Sequence, residues 1–238
     1  MDSPYARLRS TFVGLVYADH NRRPSVRAAL HGVIESIPET GIGLNVGAGP
    51  TRIDPRVVSL DLLGGSNLDV IASAVRLPFG DGSFDVVVTQ ETMEHVDDPF
   101  AALGEIERVL KPGGVLYLQL PFVIGYHPGP TDFWRFTREG MRQVVEQAGL
   151  HCREVGVAVG ASSGFYRIAV EYFAILFSSL ARSLYMPLKA FFAAVLYPVK
   201  LLDVVTDRSP QVDRIAGGYF VIADKADVSR SVGRGSQG

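Results

Sequence analysis

Residues 44–50 (LNVGAGP) constrain this chain more than any other stretch. Gly43 to Val46 reads as a buried strand that runs straight into a turn with two glycines, Gly47 and Gly49. With no Cβ in the way, such a turn lets backbone approach a ligand closely. In an open α/β sheet, ligands sit beyond the carboxyl ends of strands at this kind of turn. By itself the Gly-x-Gly turn also fits a tight strand–helix connection with no ligand.

The next element narrows the choice. Arg56 to Leu60 reads as a second parallel strand ending in Asp61, whose carboxylate can accept both hydroxyls of a ribose. A dinucleotide site wants Gly-x-Gly-x-x-Gly and an acid about 20 residues on. Here Arg52 stands in place of the third glycine, and Asp61 follows Gly49 after only a short loop. NAD is therefore disfavoured, and no Gly-Lys-Ser or Gly-Lys-Thr marks a P-loop. A nucleoside without phosphates fits better, and S-adenosylmethionine is such a cofactor.

Downstream the pattern continues as an alternating α/β chain. Leu68 to Ala72 is a short third strand, Leu77-Pro78-Phe79 a rigid loop, and Phe84 to Thr89 a nearly continuous apolar strand suited to a sheet covered on both faces. Asp98-Pro99 opens a helix as N-cap and first-turn proline, with Phe100, Leu103, Ile106 and Leu110 as its apolar stripe. Lys111-Pro112-Gly113-Gly114 stops it, and Val115 to Leu120 is the fifth strand. Further helices read at Val26 to Ile37 and Thr137 to Ala148, the latter closed by Gly149. His151 to Val159 and Gly218 to Lys225 read as the last two strands, the final one antiparallel.

LNVGAGP, Asp61, LPFGDGSFDVVVT, EHVDDP and LKPGGVLYLQLP stand in the order and spacing of the class I S-adenosylmethionine-dependent methyltransferases, which the run from Leu44 to Leu120 resembles. The resemblance implies a doubly wound, mostly parallel seven-stranded sheet. It places Gly47, Ala48 and Gly49 along the methionine end of the cofactor, Asp61 on the ribose, Ser73 and Ala74 near the adenine, and Gln90 under the reacting centre. Asn45 and Ser73 stand where the family often has acids, so the contacts to the methionine amine and the adenine amine are weaker here. The HPGPTDFWRFT stretch is similar to a branch associated with bacterial surface-polysaccharide synthesis.

At 238 residues the chain is one domain with an insertion, or one domain plus a small lobe. Methyltransferase segments are expected at 25–164 and 216–226, with an N-terminal amphipathic segment at 1–24 and a disordered Ser/Gly/Arg-rich tail at 227–238. The single Cys152 permits no internal disulfide and points to a reducing, cytoplasmic setting, and it reads as a buried small hydrophobe. With a net charge of −2 and no basic stripe interleaved with aromatics, nucleic acid is not a favoured partner. The N-terminus carries Asp2 and Arg7 and lacks the apolar run of a signal peptide.

Residues 165–205 form a hydrophobic helical insertion before the last strand. Its uninterrupted apolar runs are about half of a bilayer span. Arg167, Ser178, Lys189 and Lys200 recur every 11 residues, which predicts one narrow polar stripe on an oily helix. Pro187 and Pro198 are expected to break that helix, and Lys189 and Lys200 to extend their ammonium groups to water. Contact with the inner membrane face through 165–202, a buried homodimer face and a lid over the site all remain open.

Methyl transfer from a sulfonium needs alignment and removal of a proton, and no covalent intermediate. The loop Phe122 to Phe136 supplies the acceptor side: His127 as base, Asp132 and Arg135 as orienting groups, Tyr126, Phe133 and Trp134 as stacking surfaces. Glu91, Glu94 and His95 share one face of a helical turn, a pattern like that of metal-assisted O-methyltransferases. With His127 as a further donor they could ligate a divalent ion, although a metal-free site with His95 beside the cofactor is favoured. The expected activity is O-methylation of a small or lipid-linked, glycan-type acceptor. C-methylation of a quinone-like lipid precursor and a catalytically silent cofactor-binding scaffold are the alternatives.

Overall fold

A computed structural model describes residues 23–50, 52–65, 67–179 and 181–227. The expected N-terminal segment and Ser/Gly/Arg-rich tail therefore fall almost wholly outside the described residues. The chain divides into two compact units. Among the described residues, one comprises 28–120, 127–156 and 220–227, and the other 23–27, 121–126 and 157–219.

The first unit is built on a seven-stranded sheet in the order β3-β2-β1-β4-β5-β7-β6. Its strands are β1 (Gly43–Val46), β2 (Val57–Asp61), β3 (Val70–Ile71), β4 (Phe84–Gln90), β5 (Leu110–Pro121), β6 (Leu150–Val159) and β7 (Gly218–Lys225). β1 pairs in parallel with β2 on one side and β4 on the other, so strand order reverses between β1 and β4. That reversal leaves a crevice at the carboxyl ends of the two strands, where an open α/β sheet binds its ligand. β1 is buried along its whole length, Asn45 included, as a central strand is in a sheet covered on both faces.

Around the sheet lie α1 (Pro24–Glu35), α2 (Pro99–Val109) and α3 (Arg138–Gln147). The Asp98 carboxylate caps α2 by accepting from the Ala101 amide at 2.9 Å, and the Thr137 hydroxyl caps α3 from Gly140 at 3.1 Å. Two boundaries differ from expectation. β3 is only Val70–Ile71. α2 ends at Val109 because Leu110 turns extended and pairs with Phe84, so Lys111–Gly114 lies inside β5, where the register shifts, instead of terminating the helix. Phe100, expected on the buried stripe of α2, is 45% exposed.

The second unit contains α4 (Ala161–Ser178), a 3-10 turn (Arg182–Leu184), α5 (Tyr185–Leu201) and α6 (Asp203–Thr206). Here three expectations fail. The helix is interrupted at the turn before Tyr185, and the prolines do not break it. Pro187 sits in the first turn of α5, where no N–H is needed, and α5 runs on through Pro198. The polar stripe is split between two packed helices and faces inward. Arg167 and Lys200 are 6% and 8% exposed, and the Lys189 ammonium meets the Glu171 carboxylate instead of water. Lys200 lies over the rings of Tyr166 and Tyr197, 5.0 and 5.4 Å from their centroids, and burial pushes its amine down to about 8. No helix among the described residues is long and apolar enough to cross a membrane.

One glycine ties the crevice together. Gly47 has φ +74°, and a Cβ there would run into the Thr92 side chain. Gly47→Ala should therefore cost about 3 kcal/mol, from left-handed strain plus the clash. Thr92→Ala in that background should restore only part of it, since the strain and the Thr92 Cβ remain. Denaturant unfolding of both variants reads this directly.

Candidate functional site

The crevice holds a cavity of about 550 Å³, within the size range of small-molecule and cofactor sites. One side is the β1 turn. The amides of Gly47 and Ala48 donate to the Leu60 carbonyl, and Gly49 has φ +55° with open space where a Cβ would stand. The two glycines thus do different work. Gly47 seats Thr92, and Gly49 opens the backbone to the cavity. Asp61, at the tip of β2, accepts from the Gly49 amide through Oδ2 and from the Leu63 amide through Oδ1, both at 2.9 Å. The carboxylate is thereby fixed at the lip, with lone pairs left for a ligand.

Gly47, Gly49, Asp61, Ser73, Ala74, Glu91 and His95 all line this cavity. Asn45 is buried inside β1, and neither it nor Ala48 nor Gln90 is among the residues that line the cavity. Ser73 Oγ accepts from the Val75 amide at 3.4 Å, which holds the loop below it.

On the opposite wall stands Glu91, the residue just past the end of β4, whose φ is +51°. A left-handed glutamate costs about 1 kcal/mol or more and persists only where its surroundings impose it. Here its amide donates to the Gln119 carbonyl at 2.9 Å, and Gln119 Nε2 donates to its carboxylate at 3.3 Å. Gln119 is fully buried and also accepts from the Tyr117 hydroxyl at 2.9 Å and from Gln90 Nε2 at 3.4 Å. Nothing in the sequence pattern singles out Tyr117, Gln119 or Thr92, because buried polar residues in an apolar strand show their partners only after folding.

The 3-10 turn Met93–His95 carries the most unusual electrostatics. Glu94 is fully buried, and among the described residues neither of its carboxylate oxygens has a hydrogen-bond partner within 3.5 Å. Burial drives its pKa up, and the nearby Glu91 charge adds to the shift. Two imidazoles face it: His127 Nε2 at 3.6 Å and His95 Nε2 at 3.7 Å from Oε1. His95 Nδ1 lies 2.5 Å from the Thr131 carbonyl, which can only accept, so Nδ1 carries the proton. Arg135 Nη2 lies 3.2 Å from His127 Nδ1, and since arginine always donates, Nδ1 is the acceptor there and Nε2, which faces Glu94, carries the ring's N–H.

Arg135 is in turn gripped by Asp132 through both nitrogens, at 2.5 and 2.7 Å. That guanidinium holds the Asp132 carboxyl down to about 2. Asp132 also accepts from the His127 amide at 2.9 Å. Asp132 and Arg135 are thus spent on positioning His127, and neither lines the cavity. Trp134 is likewise structural: its Nε1 donates to the Val96 carbonyl at 3.1 Å, and its ring packs against Phe100 and Phe136. Phe133, half-exposed, does line the cavity. Tyr126 belongs to the other unit and is 75% exposed. Loop 129–134 is stitched to the 3-10 turn by Phe133 N to Glu94 O and Thr131 Oγ1 to His95 O, at 2.7 and 3.3 Å.

A cluster that reaches this wall only through His95 has the donor set for a cation. Single ligand atoms of Glu94, His95 and His127 lie within 4.8 Å of one another, a carboxylate-and-imidazole set suited to a divalent ion. The expected trio with Glu91 is not what converges, because Gln119 holds the Glu91 carboxylate elsewhere. Cys152 is a buried free thiol.

Comparison with known proteins agrees with this geometry. Residues 51–118 match the family described as methyltransferase domain. The chain is 33% identical to the Escherichia coli protein YafE over 129 residues, covering 48% of this chain and 57% of YafE. It is 40% identical to the O-methyltransferase rstn1 of Aspergillus nomiae over 67 residues, 28% of this chain and 30% of that one. It thus spans less than two thirds of either relative. Among solved structures, the methyltransferase bound to the Trm112 activator of Haloferax volcanii is similar in fold, with a TM-score of 0.51 and 18% identity over 94% of this chain and 98% of that one.

The Asp132 pair makes a pH prediction. A carboxyl lowered from 3.8 to about 2 on folding stabilises the fold fully above pH about 4, and that contribution is lost as pH falls through about 2. Asp132→Asn should lower the unfolding free energy by about 2 kcal/mol at pH 7. The gap to wild type should close near pH 2, as read by urea melts across the range.

Proposed function

We propose that the chain is a class I S-adenosylmethionine-dependent methyltransferase that methylates an oxygen of a small or lipid-linked, glycan-type acceptor, a reading supported by the methyltransferase-domain match over residues 51–118. The observation that carries the reading is His95 on the wall of a cavity whose opposite lip is the Gly49–Asp61 pair, backed by the buried Glu94 carboxylate and by His127, neither of which lines the cavity.

The cofactor fits the lip. Gly49 offers bare backbone to its methionine end, Asp61 has acceptor capacity left for the ribose hydroxyls, and Ser73 and Ala74 line the adenine side. When bound, S-adenosylmethionine supplies a methyl group already activated on a sulfonium. The protein's share is to align the acceptor and take its proton. His95, with Nδ1–H fixed on Thr131, keeps its Nε2 lone pair for that proton. Glu94 stabilises the resulting imidazolium, and His127, Arg135 and Asp132 hold Glu94 in place. The O-methyltransferase among the relatives favours oxygen as the methylated atom.

The convergence of Glu94, His95 and His127 favours a second reading, in which the same trio holds a divalent ion that polarises the acceptor oxygen. Turnover that survives exhaustive chelation retires that reading. Turnover lost on chelation and restored by one added metal establishes it.

Three measurements test the proposal. Asp61→Ala should weaken S-adenosylhomocysteine binding at least about 100-fold by calorimetry, because a buried charge-assisted contact is lost. No binding by wild type at millimolar concentration would instead leave a silent scaffold. His95→Gln should lower kcat by about 100-fold or more with cofactor affinity unchanged. Glu94 is raised by burial, so ionising it costs the fold stability as pH rises through its folded pKa. Glu94→Gln should therefore stabilise the protein at pH 7 while slowing turnover.

A further inference from the structure

The α4–α5 hairpin is built inside out for water. Its charged groups lie in the seam: Arg167 and Lys200 are buried, and Lys189 is paired with Glu171, which also accepts from the Tyr185 hydroxyl at 2.6 Å. Its outward faces are apolar along their length. On α4, Phe165, Tyr172 and Ile175 are 54–60% exposed, and on α5, Phe191, Val195 and Leu201 are 54–63% exposed. In water the hydrophobic effect sorts a helix the other way. Polar groups turned inward with apolar groups outward is the arrangement that helices adopt against lipid.

We propose that this outward face is a docking surface for one leaflet of an anionic lipid bilayer, entered from the side without crossing it. Two observations select lipid over another protein, and a third sets how the face lies on it. A protein interface carries a polar rim and about one hydrogen bond per 100–200 Å². The exposed face of α4 has no polar side chain besides the Tyr172 hydroxyl before Ser179, so it cannot supply them. Between Tyr172 and Leu202 there is no acidic residue, and the one exposed charge is Arg182, at the turn between the helices. A lone cation at the edge of an apolar face suits anionic headgroups. Finally, α4 and α5 have 18 and 17 residues, about 26 Å each, and neither qualifies as a crossing helix, so the face lies in the interface plane.

The test is flotation of the full chain with vesicles of phosphatidylcholine alone or mixed with phosphatidylglycerol. Wild type should float with both and more with the anionic mixture. The triple variant Ile175→Gln, Phe191→Gln, Val195→Gln should lose at least about tenfold of the bound fraction. Phe192 is left intact because it stacks on Phe173 and Phe177 at 5.3 and 5.5 Å and holds the hairpin together. Arg182→Glu should remove the preference for anionic vesicles and leave the neutral binding. If the triple variant fails to fold, Phe191→Trp replaces it: brominated lipid should quench its emission beyond that of Trp134 in wild type. Wild type that stays unbound on both vesicles overturns the proposal, and a stable dimer that the triple variant dissociates would assign the face to a second copy. The readout is independent of turnover, so it stands or falls apart from the methyl-transfer reading.

Discussion

The cavity exists because Gly47 has no side chain. β1 and β4 are neighbours that hand their chains to opposite halves of the sheet, so the turns at their ends must share one small space. Thr92 fills that space from the β4 side, directly where a Cβ on residue 47 would stand. With the two turns interlocked, Gly49 is left facing open volume and Asp61 is tied to it through a backbone amide. The neighbouring Glu91 is pressed into a left-handed conformation that Gln119 then holds. Strain stored at the end of a central strand, beside a cavity, is the pattern expected of a site whose geometry is imposed by its scaffold.

Across the cavity the governing term is desolvation. A carboxylate with no hydrogen-bond partner in a dry interior is among the least comfortable groups a fold can contain. Glu94 is backed by a line of polar side chains that runs out from it: His127, then Arg135, then Asp132, whose carboxyl is held near 2. That line fixes the tautomer of His127 and the direction of its Nε2–H. The side chains at the far end never reach the cavity, yet they determine what His95 and Glu94 can do with a proton.

The helical unit obeys a different constraint. In the α4–α5 hairpin Lys189 pairs with Glu171 and Lys200 lies over tyrosine rings inside the seam, which leaves the outward faces to aliphatic and aromatic groups, with Arg182 at the connecting turn. Such an exterior has a favourable free energy only against something other than water. The sheet unit shows the ordinary arrangement, with its apolar strands buried, so the inversion is local to the hairpin.

Much of the sheet unit was legible in the chain alone. Apolar runs of four to seven residues, glycine turns and the Asp98-Pro99 cap are local signals, and β1, β4, β7 and α3 fall within a residue or so of where those signals put them. The glycines and Asp61 were legible as a cofactor lip because spacing along a strand–turn–strand path is itself a geometric measure. What tertiary structure decided was partnership. The 11-residue spacing of Arg167, Ser178, Lys189 and Lys200 fixes a stripe only on one continuous helix, and the turn before Tyr185 put its halves face to face. Glu91 and Glu94 look equivalent in sequence, but Gln119 from another strand claims one and two imidazoles face the other. Which polar groups meet depends on contacts between residues far apart in the chain, and no local periodicity carries that information.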